Sequence, residues 1–293
     1  QLTISDVPTA IHTLEHNSYY SLISGYKNPF KHKPSGNYLY GVTFEEIVAF
    51  YYFDEKLRTL FLKYILHVER HLKSLISYHF CEKFGENQAE YLNPANFNSA
   101  KKNQKAVNRL IHSLQNCISM PSHYNYITHY SRIYGNIPLW VAMNAVTFGQ
   151  LSAFYQYMPN DIQVKVSKHF SGYTEKQLHQ FITIIAKCRN VCAHGERLYD
   201  FRTQDTIPDT LLHQKLSIPL KKGNYTLGKH DLFAVVLSLR YLISNDDFKS
   251  FKGSLIQLIK KARKQCPHLT QAQLLKQMGF PEKWENICRY KLY

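Results

Sequence analysis

The stretch TFEEIVAFYYFDEKLRTLFLKYILHVERHLKSLISYHFCEKF, residues 43–84, sets apolar side chains at Ile47, Phe50, Phe53, Leu57, Leu60, Phe61, Tyr64, Ile65, Val68, Leu72, Leu75 and Ile76. Intervals of three and four residues are the signature of one helical face turned to a core. Thr43 stands in N-cap position with Glu46 three residues on, the spacing of a capping box. The run is long for a single helix of a globular protein, so a kink or break within it is expected.

The same reading carries outward. PTAIHTLEHNSYYSLISGY near the start reads as helix, and KNPFKHKPSGNYLYG after it as loop. GENQAEYLNPANFN is a loop, and a further helix is expected in 100–133, running into the polar, tyrosine-rich MPSHYNYITHYSRIYGN. Pro138 opens PLWVAMNAVTFGQLSAFYQYM, expected as one apolar helix, in which Gly149 would permit close packing. Thr174 and Gln177 cap YTEKQLHQFITIIAKCRNVCAHGERL. Residues 200–230 hold Pro208, Pro219 and Gly223 and read as a loop insertion with a short hairpin. HDLFAVVLSLRYLI, FKGSLIQLIKKARKQ and TQAQLLKQM are helical. With 12 glycines and 11 prolines in 293 residues, a turn-dense β fold is disfavoured and the class is all-α.

Thirty-six lysines and arginines against 21 aspartates and glutamates leave a net charge of +15. That excess points to a polyanionic partner, nucleic acid before an anionic membrane surface. Twenty-two tyrosines offer rings on which bases can stack, although most are expected to edge the core. The six cysteines show no CxxC pair and no dense framework, which suits a reduced, cytoplasmic protein. No apolar run has the length of a membrane span and no signal peptide is visible.

The chemistry concentrates in CRNVCAHGERLYDF, residues 188–201. On a helix Leu178, Ile182, Ile185 and Cys192 form an apolar stripe, and Arg189 falls on it. An arginine there needs a partner or a polar cavity. Asn190 and His194 share another face, which Lys187 and Arg197 extend. Arg189 and His194 lie on different sides, so one copy looks like half a site, and two copies facing across a two-fold axis complete it. Glu69 and Lys73 are spaced i,i+4, either as a solvated pair or as an orienting contact for this helix. Cys188 and Cys192 have no second ligand pair at zinc-site spacing, so no metal and no cofactor is expected.

Arg189-Asn190-Val191-Cys192-Ala193-His194 resembles the R-(N/D/H)-x-x-x-H form of the HEPN ribonuclease motif. The R-x4-H spacing recurs at Arg263–His268, where Pro267 and the lack of a following Asn argue against a second active helix. Across nearly its whole length the chain resembles the Abi family of abortive-infection proteins, of the AbiD/AbiF type. The resemblance rests on SGYKNPF (24–30), FDEKLR (53–58), PLWVAMNAVTFGQLS (138–152), CRNVCAHGERLYD (188–200) and MGFPEKWENI (278–287). Departures are Lys73 where an arginine is common, Gly195 where a second histidine is common, and Tyr199-Asp200 where Trp-Asn is common.

The resemblance implies a HEPN-type helical bundle with additional N- and C-terminal helices, a single domain over 1–293. Its parts are 1–135, a HEPN-like core over 136–245 with the insertion 200–230, and basic helices over 246–293. It implies metal-independent RNA cleavage in antiphage defence, in which the ribose 2′-hydroxyl attacks the adjacent phosphorus. His194 moves a proton, Arg189 stabilises phosphoryl charge, and Asn190 orients the histidine or a phosphate. Lys187, Arg197, Tyr199, Lys260, Lys261 and Arg263 are the expected RNA contacts. The partners implied are RNA, including a small non-coding RNA as in the RNA-guided type VI CRISPR effectors that share the motif, and a second copy through the motif helix. A non-catalytic RNA-binding module and an antitoxin-like interaction scaffold are the rival classes.

Overall fold

The structure, a computed structural model, describes residues 2–32, 34–98, 100–170 and 172–292. The run that opens the sequence reading is one unbroken helix, α2 (Phe44–Phe84), of 41 residues. The expected break is absent because neither proline nor glycine falls within it and other helices cover it along its length. Thr43 Oγ1 accepts the Glu46 N–H, and Gly85 ends the helix with a positive φ.

Before α2, α1 (Val7–His16) stops at Asn17, and a separate π-helical turn, Tyr20–Ser24, follows. The expected single N-terminal helix is therefore two pieces. The loop after it includes Lys33, which lies outside the described residues. After α2 come α3 (Gln88–Tyr91), α4 (Gln104–Ile118) and α5 (Asn125–Tyr134). The apolar stretch after Pro138 is also two helices, α6 (Leu139–Ala142) and α7 (Phe148–Tyr157). Thr147 breaks it by forming a reciprocal capping box with Gln150. Nothing lies within 4 Å of a Cβ built on Gly149, so TFGQ is a helix start rather than a close-packing site.

The remaining helices are α8 (Asn160–Ser167), α9 (Glu175–Ala193), α10 (Leu211–Lys215), α11 (Leu232–Leu242), α12 (Asn245–Gln265) and α13 (Gln271–Met278). A two-stranded antiparallel hairpin, β1 (Leu220–Lys221) with β2 (Asn224–Tyr225), pairs Leu220 with Tyr225. The fold is all-α.

α2 is the axis of the molecule. α12 packs along one side of it, where Phe251 meets Phe61 and Tyr64 edge-on at ring-centroid distances of 5.1 and 5.3 Å. α9 packs along another side, backed by α7, α8 and α11. α11 is buried at every position and joins the two sides. Each buried Phe or Leu in these seams contributes about 1.5–3 kcal/mol.

The insertion is pinned rather than loose. His213 is fully buried: its Nδ1 accepts the Thr210 N–H at 3.1 Å and its Nε2–H donates to the Gly228 carbonyl at 2.9 Å. Those partners fix the neutral tautomer. Asp231 caps α11 through the Ala234 N–H and also accepts the Gly228 N–H. Gly279, ending α13 at φ 80°, packs so close to Asp231 that a Cβ there would stand 2.4 Å from its carboxyl carbon. Among the described residues no helix is long and apolar enough to cross a membrane.

Candidate active site at the end of α9

α9 starts at a reciprocal Thr174–Gln177 capping box and buries Leu178, Phe181, Ile182, Ile184, Ile185, Ala186, Cys188 and Cys192. It ends in a Schellman turn. Gly195 takes φ 71°, and the Glu196 N–H returns to the Val191 carbonyl at 3.0 Å. His194 is therefore the C-cap residue, at φ −90° and ψ 2°, in the bridge region where active-site residues often sit. Gly195, with its positive φ, is what stops the helix there.

Arg189 and Asn190 lie in the last turns of α9, and His194 is its C-cap. Asn190 and His194 are exposed, and neither side chain has a hydrogen bond to a described residue. Arg189 is half-buried and faces α2. Its Nε stands 3.8 Å from Glu69 Oε2, while Lys73 Nζ holds Glu69 Oε1 at 2.9 Å. Arg189 Nε and Glu69 Oε2 are both buried and make no hydrogen bond. The carboxylate thus neutralises the arginine on its apolar stripe without occupying its donors. Glu69 and Lys73 are the orienting contact for α9, not a solvated pair.

A second contact holds the chain just past His194, and it escaped the sequence reading. Asp54 is fully buried. Its carboxylate accepts the Leu198 N–H at 3.0 Å, the Tyr199 N–H at 2.7 Å and the Tyr26 hydroxyl at 2.7 Å. Arg58 bonds the same carboxylate at 2.8 Å and reaches the Glu196 carbonyl at 3.3 Å. SGYKNPF, FDEKLR and CRNVCAHGERLYD, remote in sequence, meet in this clamp. The signal was present, because Asp54 and Arg58 lie i,i+4 amid the apolar face of α2 and need partners there.

The expected RNA contacts divide. Lys187 is exposed and ion-paired with Asp205, whose carboxyl that pairing holds below the usual range. Arg197 is exposed, donates to the Gly25 carbonyl at 2.9 Å and lies 3.7 Å from Asp200. Tyr199 is 2% exposed, with its ring 4.7 Å from that of Phe50 and 5.7 Å from that of Tyr26. It is a core residue, because the Asp54 clamp turns its backbone inward, and it offers no face to a base. Lys260, Lys261 and Arg263 are exposed near the end of α12. Lys261 lies beside Tyr52, Phe53 and Lys56 of α2. Lys56 diverges from Arg58 by about 160° on the helix, so α2 separates these cations from the motif.

Among the described residues no group of three His, Cys, Asp or Glu side chains stands close enough to hold a metal ion. Cys188 and Cys192 are free and buried, and burial pushes the Cys188 thiol well up.

No curated protein and no solved structure matches the chain. The family described as Abi-like protein matches residues 12–200, a span that contains the Asp54 clamp, Glu69, Lys73 and all of α9. On that match, which covers well over half its length, the chain belongs to the Abi-like protein family.

Proposed function

We propose that this protein is a HEPN-type effector of bacterial abortive-infection defence, a cytoplasmic endoribonuclease that needs no metal ion and acts as a homodimer through α9. Family membership points to abortive infection. The observation that carries the chemistry is the end of α9. Asn190 and His194 are exposed there, without a side-chain hydrogen bond to any described residue, beside an arginine whose charge Glu69 balances and whose buried Nε has no hydrogen-bond partner among the described residues.

In the reaction the substrate's 2′-hydroxyl attacks the adjacent phosphorus, the 5′-oxygen leaves, and a 2′,3′-cyclic phosphate remains. An imidazole at position 194 takes the hydroxyl proton, and the same residue of the second copy protonates the leaving oxygen. Arg189 binds the phosphoryl oxygens as their charge grows. Asn190 holds a phosphate or orients the imidazole. DNA lacks the 2′-hydroxyl and is spared.

The exposed Lys260, Lys261 and Arg263, set apart from the motif, favour a second role, the holding of a small structured RNA across α2. Such binding weakens steeply with salt.

Purified His194→Ala and Arg189→Ala variants test the reading. Both are expected to melt and dimerise like the wild type while cleaving RNA on the order of a hundred- to ten-thousand-fold more slowly. Wild-type dimer that leaves RNA intact, or variants that cleave at the wild-type rate, would sink it. Copurification of RNA without any cleavage would support the non-catalytic RNA-binding module instead.

A further inference from the structure

A concave site lies on the other flank of α2. A cleft of about 930 Å³ opens between His67 and His71 of α2, His169 and Phe170 before α9, the end of α11, the start of α12 and the segment 288–292. Along α2, His67 and His71 each diverge by about 160° from Glu69, so this cleft and the α9 site do not share a wall.

Its charge is one-sided. Arg240, Arg289 and Lys291 line it, with Asp247 the one acidic side chain among its described residues, and three histidines complete its polar lining. Asp247 is already engaged by the Ser244 hydroxyl at 2.9 Å and by His67 at 3.8 Å. Arg240 is the unusual member. It is 7% exposed, its Nε is buried without a hydrogen-bond partner, and it makes no ion pair with any described residue. Its guanidinium carbon stands 5.3 Å from the centre of the Phe248 ring. A buried guanidinium with no anion beside it is costly unless a ligand supplies one.

The rest of the lining is apolar and aromatic: Phe170, Tyr241 and Leu242 are buried behind it, and Ile243 and Tyr290 are partly exposed. His71 stands over Phe170 at a centroid distance of 5.3 Å. The volume falls in the range of small-molecule and cofactor sites and far exceeds a bare phosphate. Cations and planar side chains that line one cleft fit an anion joined to a ring.

We propose that this cleft binds a nucleoside phosphate, with Arg240 and Arg289 on the phosphates and the base against Tyr290 and the apolar lining. The site is separate from the α9 chemistry and does not depend on it.

Titration of the full chain with ATP, ADP, AMP, adenosine and inorganic phosphate, followed by calorimetry and thermal melts, tests this. The nucleoside phosphates are expected to bind and raise Tm, inorganic phosphate to bind at least about tenfold more weakly, and adenosine not to register. Arg240→Met is expected to weaken nucleotide binding about ten- to a hundredfold, the loss of a charged hydrogen bond. Arg289 is exposed, so Arg289→Ala serves if the buried substitution fails to fold, with weakening in the same direction. Arg189→Ala and His194→Ala are expected to bind nucleotide as the wild type does. Absence of nucleotide binding at millimolar concentration overturns the proposal. So does affinity unchanged in both cleft variants, or inorganic phosphate that binds as well as ATP. Binding by RNA oligonucleotides alone would also overturn it, making the cleft part of an RNA track.

Discussion

Asp54 shows how one side chain can govern a site it does not enter. It collects two backbone N–H groups, a tyrosine hydroxyl and an arginine, all buried, and three of these come from segments distant in sequence or turned by distant contacts. Replacing it with alanine strands Arg58 and the Leu198 and Tyr199 amides together. Asp54→Ala is therefore expected to cost roughly 3 kcal/mol or more in a denaturant melt, the range for a broken buried ion pair. A loss below about 1 kcal/mol would show that the clamp does not hold the segment after His194. Tyr199 carries the complementary lesson. As a lone aromatic beside basic residues it reads as a stacking surface, and only its backbone bond to Asp54 shows that it turns inward. Arg189, by contrast, was legible as a residue in need of a partner. Its partner, Glu69, lies 120 positions away and became visible once two helices packed.

At the scale of elements, helix ends were the most local information and the most readable. Thr43 and Thr174 cap the helices that their spacing predicts. Where the reading ran past a break, the cause was again a cap. Thr147 with Gln150 splits one apolar run into α6 and α7, and the Asn17 end of α1 divides the N-terminal segment. The end of α9 makes the same point for the site, because Gly195 closes the Schellman turn that leaves His194 as the last helical cap. No atom lies within 4 Å of a Cβ built on Gly195, so substitution there meets only backbone strain. Gly195→Ala is expected to cost about 1 kcal/mol and to lower RNA cleavage more than RNA binding, since it moves His194. Equal loss of both, or neither, would separate the turn from the chemistry. α2 is the opposite case. Its period was plain, but its continuity over 41 residues depends on helices packed along it, which its own sequence does not describe.

Across the whole molecule α2 separates two surfaces, the α9 end on one flank and the basic cleft on the other. Buried His213 and half-buried His179 couple the fold to pH. Burial lowers the titration range of His213, and likewise of His179, below that of a free histidine. The unfolded chain takes up these protons near pH 6.5 while the folded chain resists them. Stability from these groups is thus full above about pH 6.5 and falls as the solution is acidified through the folded range. Melts at about pH 7.5, 6.5 and 5.5 are expected to show a falling Tm, with a shallower fall in His213→Gln. A Tm that rises on acidification, or an unchanged slope in the variant, would contradict the fixed neutral tautomer. By itself the sequence determined the all-α class, the main helix faces and several caps, and it singled out Arg189, Asn190 and His194 as candidates, because helical period, capping and motif spacing act over three to five residues. Only the tertiary structure decided what Arg189 packs against, which aromatic is core, where the basic helix lies and that Arg240 is buried without an acidic partner among the described residues. Those facts are contacts between residues far apart in the chain, and packing alone brings them together.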